Sequence, residues 1–196
     1  VTGLTPLAGD ASNRRYFRVA LKGKPSALIL MQLADPEGFK KSEEAVSGAS
    51  VQIAELPFTN VLAHLQRTGV TVPQLHYYDR EAGLLYLEDF GDLTLAEACR
   101  DADRARLVSL YRQAIDQLVL LQVKGTQPPA PGCIAFHRRF DVSLLMWEFD
   151  HFLEYGIAAR LGQPMKPADD AAVRAAFQRI AELLAGQPQV FVHRDY

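Results

Sequence analysis

The sequence predicts an α+β chain, with an antiparallel sheet first and helices after it. Three observations carry that expectation. Apolar, β-rich runs at 16–21 (YFRVAL) and 26–33 (SALILMQL) flank the Gly/Pro turn signal KGKP. A second pair of runs, QLHYYD and GLLYLEDF, reads as another hairpin. From residue 94 onward the apolar residues recur at helical spacing instead.

Taken in order, LTPLAGDASNRR is poor in strand formers and rich in Gly, Asp, Ser and Asn, so it is expected as a loop between two strands. In LPFTNVLAHLQRTG, Phe58, Val61, Leu62 and Leu65 fall at i, i+3, i+4 and i+7, an amphipathic helix that Gly69 ends. The first part therefore runs strand, loop, strand, strand, helix, strand, strand. TLAE (94–97) is a Thr-x-x-Glu capping box, in which each side chain satisfies a free backbone N–H. Leu107, Leu110, Tyr111, Ala114, Ile115, Leu118 and Leu121 form a stripe that predicts a buried core helix. KGTQPPAPG is a connector. Val142, Leu145, Met146, Phe149, Phe152 and Leu153 predict a third helix, and Val173, Ala176, Phe177, Ile180 and Leu184 a fourth. Gly186 and Pro188 stop it before VFV (190–192), a short strand by composition. The sheet-rich and helix-rich parts join near 88–93, which divides the chain into 1–90 and 91–196.

Composition narrows the function classes. With 196 residues, 48% hydrophobic and 22% charged, the chain has material for one sizeable domain or two small lobes. A net charge of -2 gives no electrostatic footprint for nucleic acid, although it leaves room for one small phosphorylated ligand. Cys99 and Cys133 are isolated, which suggests a reducing compartment and no structural metal. There is no 18-residue apolar run and no basic-plus-apolar leader, so a soluble, cytoplasmic protein without a membrane partner is expected. The chain opens on Val1 instead of Met, so residues are expected to precede it in the natural protein.

Three features bear on chemistry, and each has a plain reading beside a functional one. Small residues in GDASNRR let backbone N–H groups approach an anion, with Ser12 and Asn13 as extra donors; the plain reading is a turn. LYLEDFGD could offer backbone groups to a flat heterocycle; the plain reading is a hairpin exit with Glu88 and Asp89 in solvent. VFVHRDY could place the Asp195 carboxylate on a loop within reach of a substrate hydroxyl, orienting it and taking its proton late in phosphoryl transfer. The plain reading is a polar end.

Their order is more telling than any one of them. The blocks LAGDASNRRYFRV, LMQLADPE, VPQLHYYD, LLYLEDFGDLTL, FDVSLLMWEFDHFLEYGI and VFVHRDY resemble the aminoglycoside phosphotransferase/choline kinase branch of the protein-kinase-like fold. Within it they look most like the bacterial kinases that phosphorylate N-acetylmuramate and N-acetylglucosamine at the anomeric hydroxyl in cell-wall recycling. The resemblance implies an N-terminal sheet lobe with a helix, a hinge, and a partial, truncated helical C-terminal lobe. It implies ATP and Mg²⁺ as cofactors and a small sugar or amino alcohol as acceptor. Gly9, Asp10, Ala11, Ser12, Asn13 and Arg14 would cover the ATP phosphates, and the backbone of Glu88, Asp89 and Phe90 would hold adenine. Asp195 would be the catalytic base, with His193 supporting its loop. Glu148 and Asp150 are candidate sugar-hydroxyl ligands, whereas Leu145, Phe149 and Phe152 read more simply as core.

Two departures stand out. The broad fold carries a phosphate-pairing Lys on its third strand, and here Met31 takes that place, with Lys22 and Lys24 too early. Arg14 or Arg15 is a candidate replacement cation; the plain reading leaves both in solvent or paired to an acidic neighbour. The Asn and the metal-binding Asp that follow the family's catalytic Asp would lie beyond Tyr196, so no metal ligand is expected within the chain. It reads as a fragment and is expected to be inactive alone. An aminoglycoside or choline-type kinase, and a nucleotide-binding pseudokinase motivated by Met31, are the alternatives.

Overall fold

The computed structural model describes residues 1–8, 14–33, 55–127, 129–194 and 196. These fall into two compact units, Val1–Lys40 with Leu65–Leu121, and Lys41–His64 with Gln122–Tyr196. Two of the unit boundaries fall inside helices, Pro57–Arg67 and Arg104–Thr126.

The first unit holds a five-stranded antiparallel sheet in the order β1-β2-β3-β5-β4. Its strands are β1 (Gly3–Pro6), β2 (Arg15–Ala20), β3 (Ala27–Gln32), β4 (Leu75–Asp79) and β5 (Leu84–Glu88). β1 corrects one expectation: Leu4, Thr5 and Pro6 are strand residues, not loop. The strand is legal for Pro6 because β1 is an edge, where a missing N–H need not be paired. The turn between β2 and β3 uses Gly23 at φ 125°, a value that L side chains rarely adopt. Between β4 and β5, Asp79 Oδ1 accepts the N–H of Ala82 at 3.0 Å and closes the turn.

Register sets the faces of the sheet. Tyr16 pairs with Met31 and Met31 with Leu85, while Arg18 pairs with Ile29 and Ile29 with Leu87. Directly opposed residues share a face, so Arg18, Met31, Leu85 and Leu87 lie on one side. Met31 and Leu85 are wholly buried there.

The helices follow. α1 (Pro57–Arg67) ends at Gly69, φ 77°. It buries Asn60, Leu62 and His64 most deeply, and Asn60 and His64 point away from the side of Phe58, Leu62 and Leu65, so the helix is covered on more than the apolar face read from sequence. α2 (Leu95–Cys99) begins at the expected capping box: Glu97 N–H donates to Thr94 Oγ1 and Thr94 N–H to Glu97 Oε2. α3 (Arg104–Thr126) is not the buried core helix that its stripe predicted. Leu121 is buried, but Tyr111 and Ile115 are each 56% exposed, and Val108, Val119 and Val123 are each 50% exposed. The helix is apolar on more than one side, and the described residues cover only part of that width.

In the second unit, Asp141 caps α4 (Val142–His151) by accepting the N–H of Leu144 at 2.9 Å. The helix continues as a π-helical stretch, Phe152–Ala158, and a last turn, α5 (Ala159–Leu161), that Gly162 ends at φ 67°. α6 (Pro167–Ala185) opens with Pro167 at its first position. Phe149 stacks on Phe177 with ring centroids 4.3 Å apart, joining α4 to α6. Phe152 corrects another expectation: it meets Phe177 edge-on but is half-exposed, not core. The expected strand at 190–192 is absent as well. There the N–H of Phe191 donates to the side chain of Thr126 at 2.8 Å, so this backbone group serves a helix end instead of a sheet.

Candidate active site

The expected phosphate loop, Gly9, Asp10, Ala11, Ser12 and Asn13, lies outside the described residues, and so does Asp195. Arg14 precedes β2, and Arg15 opens it opposite Gln32, exposed.

Arg18, which no sequence motif marks, is engaged on both of its sides by carboxylates. Its Nε and Nη2 donate to the two oxygens of Asp89 at 2.6 and 3.1 Å. Its Nη1 and Nη2 donate to Asp92 at 2.7 and 2.8 Å. Four hydrogen bonds engage a guanidinium that has five N–H donors. Asp89 also accepts the N–H of Gly91 at 2.8 Å, where Gly91 turns at φ 80°. These bonds hold the carboxyls of Asp89 and Asp92 below their usual range, and they raise Arg18 further, through Asp92 first and then Asp89. The segment after β5 is therefore tied to β2. On the same stretch, Glu88 donates its N–H to Gln74 O at 2.8 Å, and its carboxylate accepts the N–H of Gln74 at 3.0 Å. Phe90 is 62% exposed. The only sequence signal for Arg18 was a charged residue in an apolar strand.

Met31, in the place of the expected Lys, has no exposed surface. It fills the sheet core between Tyr16 and Leu85.

In the second unit a buried polar hook leads to the terminal motif. Asn60 donates to Gly132 O at 2.8 Å and to Glu55 at 2.9 Å, and its Oδ1 accepts the N–H of Ile134 at 2.8 Å. One turn on, His64 Nε2–H donates to Gly125 O at 2.7 Å. Its ring stacks on Phe191 (5.8 Å, 16°) and meets Phe136 edge-on (5.2 Å, 82°). His193 and Tyr196 then approach edge to face at 5.3 Å, and Arg194 between them has φ 79°.

The two candidate sugar ligands are each engaged by an arginine. Glu148 lies 3.5 Å from Arg194 Nη2. Asp150 pairs with Arg174, which also donates to Asp170 at 2.8 Å, and these carboxylates raise Arg174, Asp150 the more. Asp150, Glu154, Asp170 and Arg174 border an open cavity of about 330 Å³ walled by Leu153, Ala158, Pro164 and Met165.

Comparison with known proteins decides the family. Residues 3–196 match the phosphotransferase enzyme family. This chain belongs to that family. As a phosphotransferase-family chain it has the α+β architecture of the protein-kinase-like fold, and the match runs from β1 through the His-Arg-Asp motif. It is 31% identical over 197 residues to an N-acetylmuramate/N-acetylglucosamine kinase of Pseudomonas putida, covering 98% of this chain and 49% of that protein. Proteins of the same name from Pseudomonas aeruginosa and Neisseria meningitidis are 29% and 26% identical, again over 98% of this chain and about half of their own length. The chain thus spans about half the length of these relatives. Among its described residues, no helix is long and apolar enough to cross a membrane.

Proposed function

We propose that the protein, over its full natural length, transfers the γ-phosphoryl group of ATP to a hydroxyl of a small cytoplasmic amino sugar, of the N-acetylmuramate or N-acetylglucosamine type. The observation that carries this reading is the family match across residues 3–196, together with three relatives sharing one printed activity. On this reading residues 1–90 are a nucleotide-binding lobe and 91–196 the start of a helical lobe that carries the catalytic loop.

The roles follow from the chemistry. Gly9 to Arg14 bring N–H groups and a cation to the ATP phosphates. The backbone of 88–90 receives adenine, and the Arg18 fork keeps that segment from swinging. Asp195 accepts the proton of the attacking hydroxyl as the new O–P bond forms and the bond to ADP breaks, and His193 supports its loop. Mg²⁺ supplies charge neutralisation in such reactions. Among the described residues no group of three His, Cys, Asp or Glu side chains could hold a metal ion.

The test is ATP consumption by the full-length protein against amino sugars, aminoglycosides and choline. Turnover with N-acetylated amino sugars alone is expected, and Asp195→Asn should abolish it while nucleotide binding persists. Normal rates in that variant would overturn the assignment of the base, and a preference for choline or a cationic antibiotic would overturn the acceptor. One observation favours a second reading, a nucleotide-binding pseudokinase: Met31 is sealed in the core. Nucleotide binding without turnover on any acceptor would select it.

A further inference from the structure

Arg194 carries a backbone conformation, φ 79°, that side chains with a Cβ seldom adopt without support from their surroundings. Two residues that give such support belong to one helical segment, Phe140 just ahead of α4 and Glu148 within its second half. Glu148 Oε1 lies 3.5 Å from Arg194 Nη2, and the Arg194 guanidinium carbon sits 5.7 Å from the centroid of the Phe140 ring. Both holders are themselves fixed. Phe140 immediately precedes Asp141, whose side chain caps α4, and Glu148 neighbours Phe149, which is stacked on Phe177 of α6. His193 and Tyr196, on either side of Arg194 in sequence, meet edge to face at 5.3 Å.

We propose that Glu148 and Phe140 are positioning residues for the His-Arg-Asp motif: they clamp Arg194, the residue next to Asp195 in the sequence. The proposal rests on the functional reading above for the role of Asp195. It gives Glu148 a task other than holding a sugar hydroxyl, and the two tasks differ in what they do to kinetics. A clamp acts on the chemical step, so its loss lowers kcat and leaves KM alone. A sugar ligand acts on binding, so its loss raises the sugar KM.

The test uses the full-length protein with Glu148→Gln, Glu148→Asp, Phe140→Leu, Arg194→Gln and the double variant Glu148→Gln/Arg194→Gln. Loss of the clamp is expected to lower kcat about tenfold or more, as small misplacements of a catalytic group do, with KM for ATP and amino sugar within about twofold. Glu148→Asp should recover most of the rate. The double variant should be no slower than the worse single one, because both remove the same contact. A raised sugar KM with unchanged kcat in Glu148→Gln, or additive losses in the double variant, would overturn the proposal. Hydrogen exchange of the peptide spanning 190–196 provides a readout independent of turnover. Exchange should quicken severalfold in Glu148→Gln and Phe140→Leu, and unchanged exchange in both would refute the clamp. If the unsubstituted protein phosphorylates no sugar, the functional reading fails, while the exchange comparison still decides whether the clamp exists.

Discussion

Arg18 and Asp89 stand 71 residues apart in the chain and meet through two hydrogen bonds of 2.6 and 3.1 Å. The pair joins the second strand of the sheet to the segment that leaves its fifth. Because Asp92 takes the rest of the fork, the segment 89–92 is held at two points.

The pH dependence of this fork has a definite sign. Asp89 and Asp92 both titrate below their ordinary value of 3.8 in the folded state. Their stabilisation is therefore complete above that value and is lost as pH falls through the lower folded values. The urea midpoint should drop as pH falls below the ordinary carboxylate value of 3.8, and the drop should be smaller in Arg18→Met. An identical acid drop in the variant would remove the fork as its cause. At neutral pH, Arg18→Met should also weaken ATP binding, on the order of tenfold, measured by calorimetry on the full-length protein.

His64 is 2% exposed and stacked on Phe191, two residues ahead of His193. His64→Ala removes a buried ring and leaves Gly125 O without its donor, which should cost about 2–4 kcal/mol in urea unfolding. His64→Phe keeps the stack and loses only the hydrogen bond, so its cost should be about 1–3 kcal/mol. Equal costs for the two would mean that the ring contributes nothing.

Met31→Lys should not restore a missing kinase lysine. The position has no exposed surface, and an ammonium there must be desolvated or neutralised. The expected outcome is a loss of several kcal/mol in stability, and no gain in turnover when the full-length protein is assayed. A stable variant with faster turnover would show that this strand can present a cation after all.

Gly156 lies within the π-helical stretch, where an added Cβ would sit 2.9 Å from Cδ2 of Phe152. Gly156→Ala should push that ring off Phe177 and cost about 1–3 kcal/mol, read from the thermal midpoint. The double variant Gly156→Ala/Phe152→Leu should recover part of the loss by making room.

What could be read from the sequence was what neighbouring residues decide among themselves. The strands at 15–20 and 27–32, the Thr94–Glu97 box and the stop at Gly69 each depend on a few adjacent side chains. Tertiary partners did not show in the same way. Nothing local marks Asn60 and His64 as buried, because Gly132, Ile134 and Gly125, which satisfy them, lie 61 to 74 residues away. VFV has strand composition, but Thr126 takes the N–H that a sheet would have needed. For the site, the motif order led to the right family, whereas the ion pairs of Glu148 and Asp150 depend on arginines from distant segments.

The ridge of Val108, Tyr111, Ile115, Val119 and Val123 along α3 has a practical side. Five apolar side chains in line on a 23-residue helix offer an adsorption strip to any solvatochromic dye. These 196 residues, handled alone, should light up such a dye while fully folded. Fluorescence of that kind would report a native surface, and only a loss of near-ultraviolet circular dichroism would report melted packing.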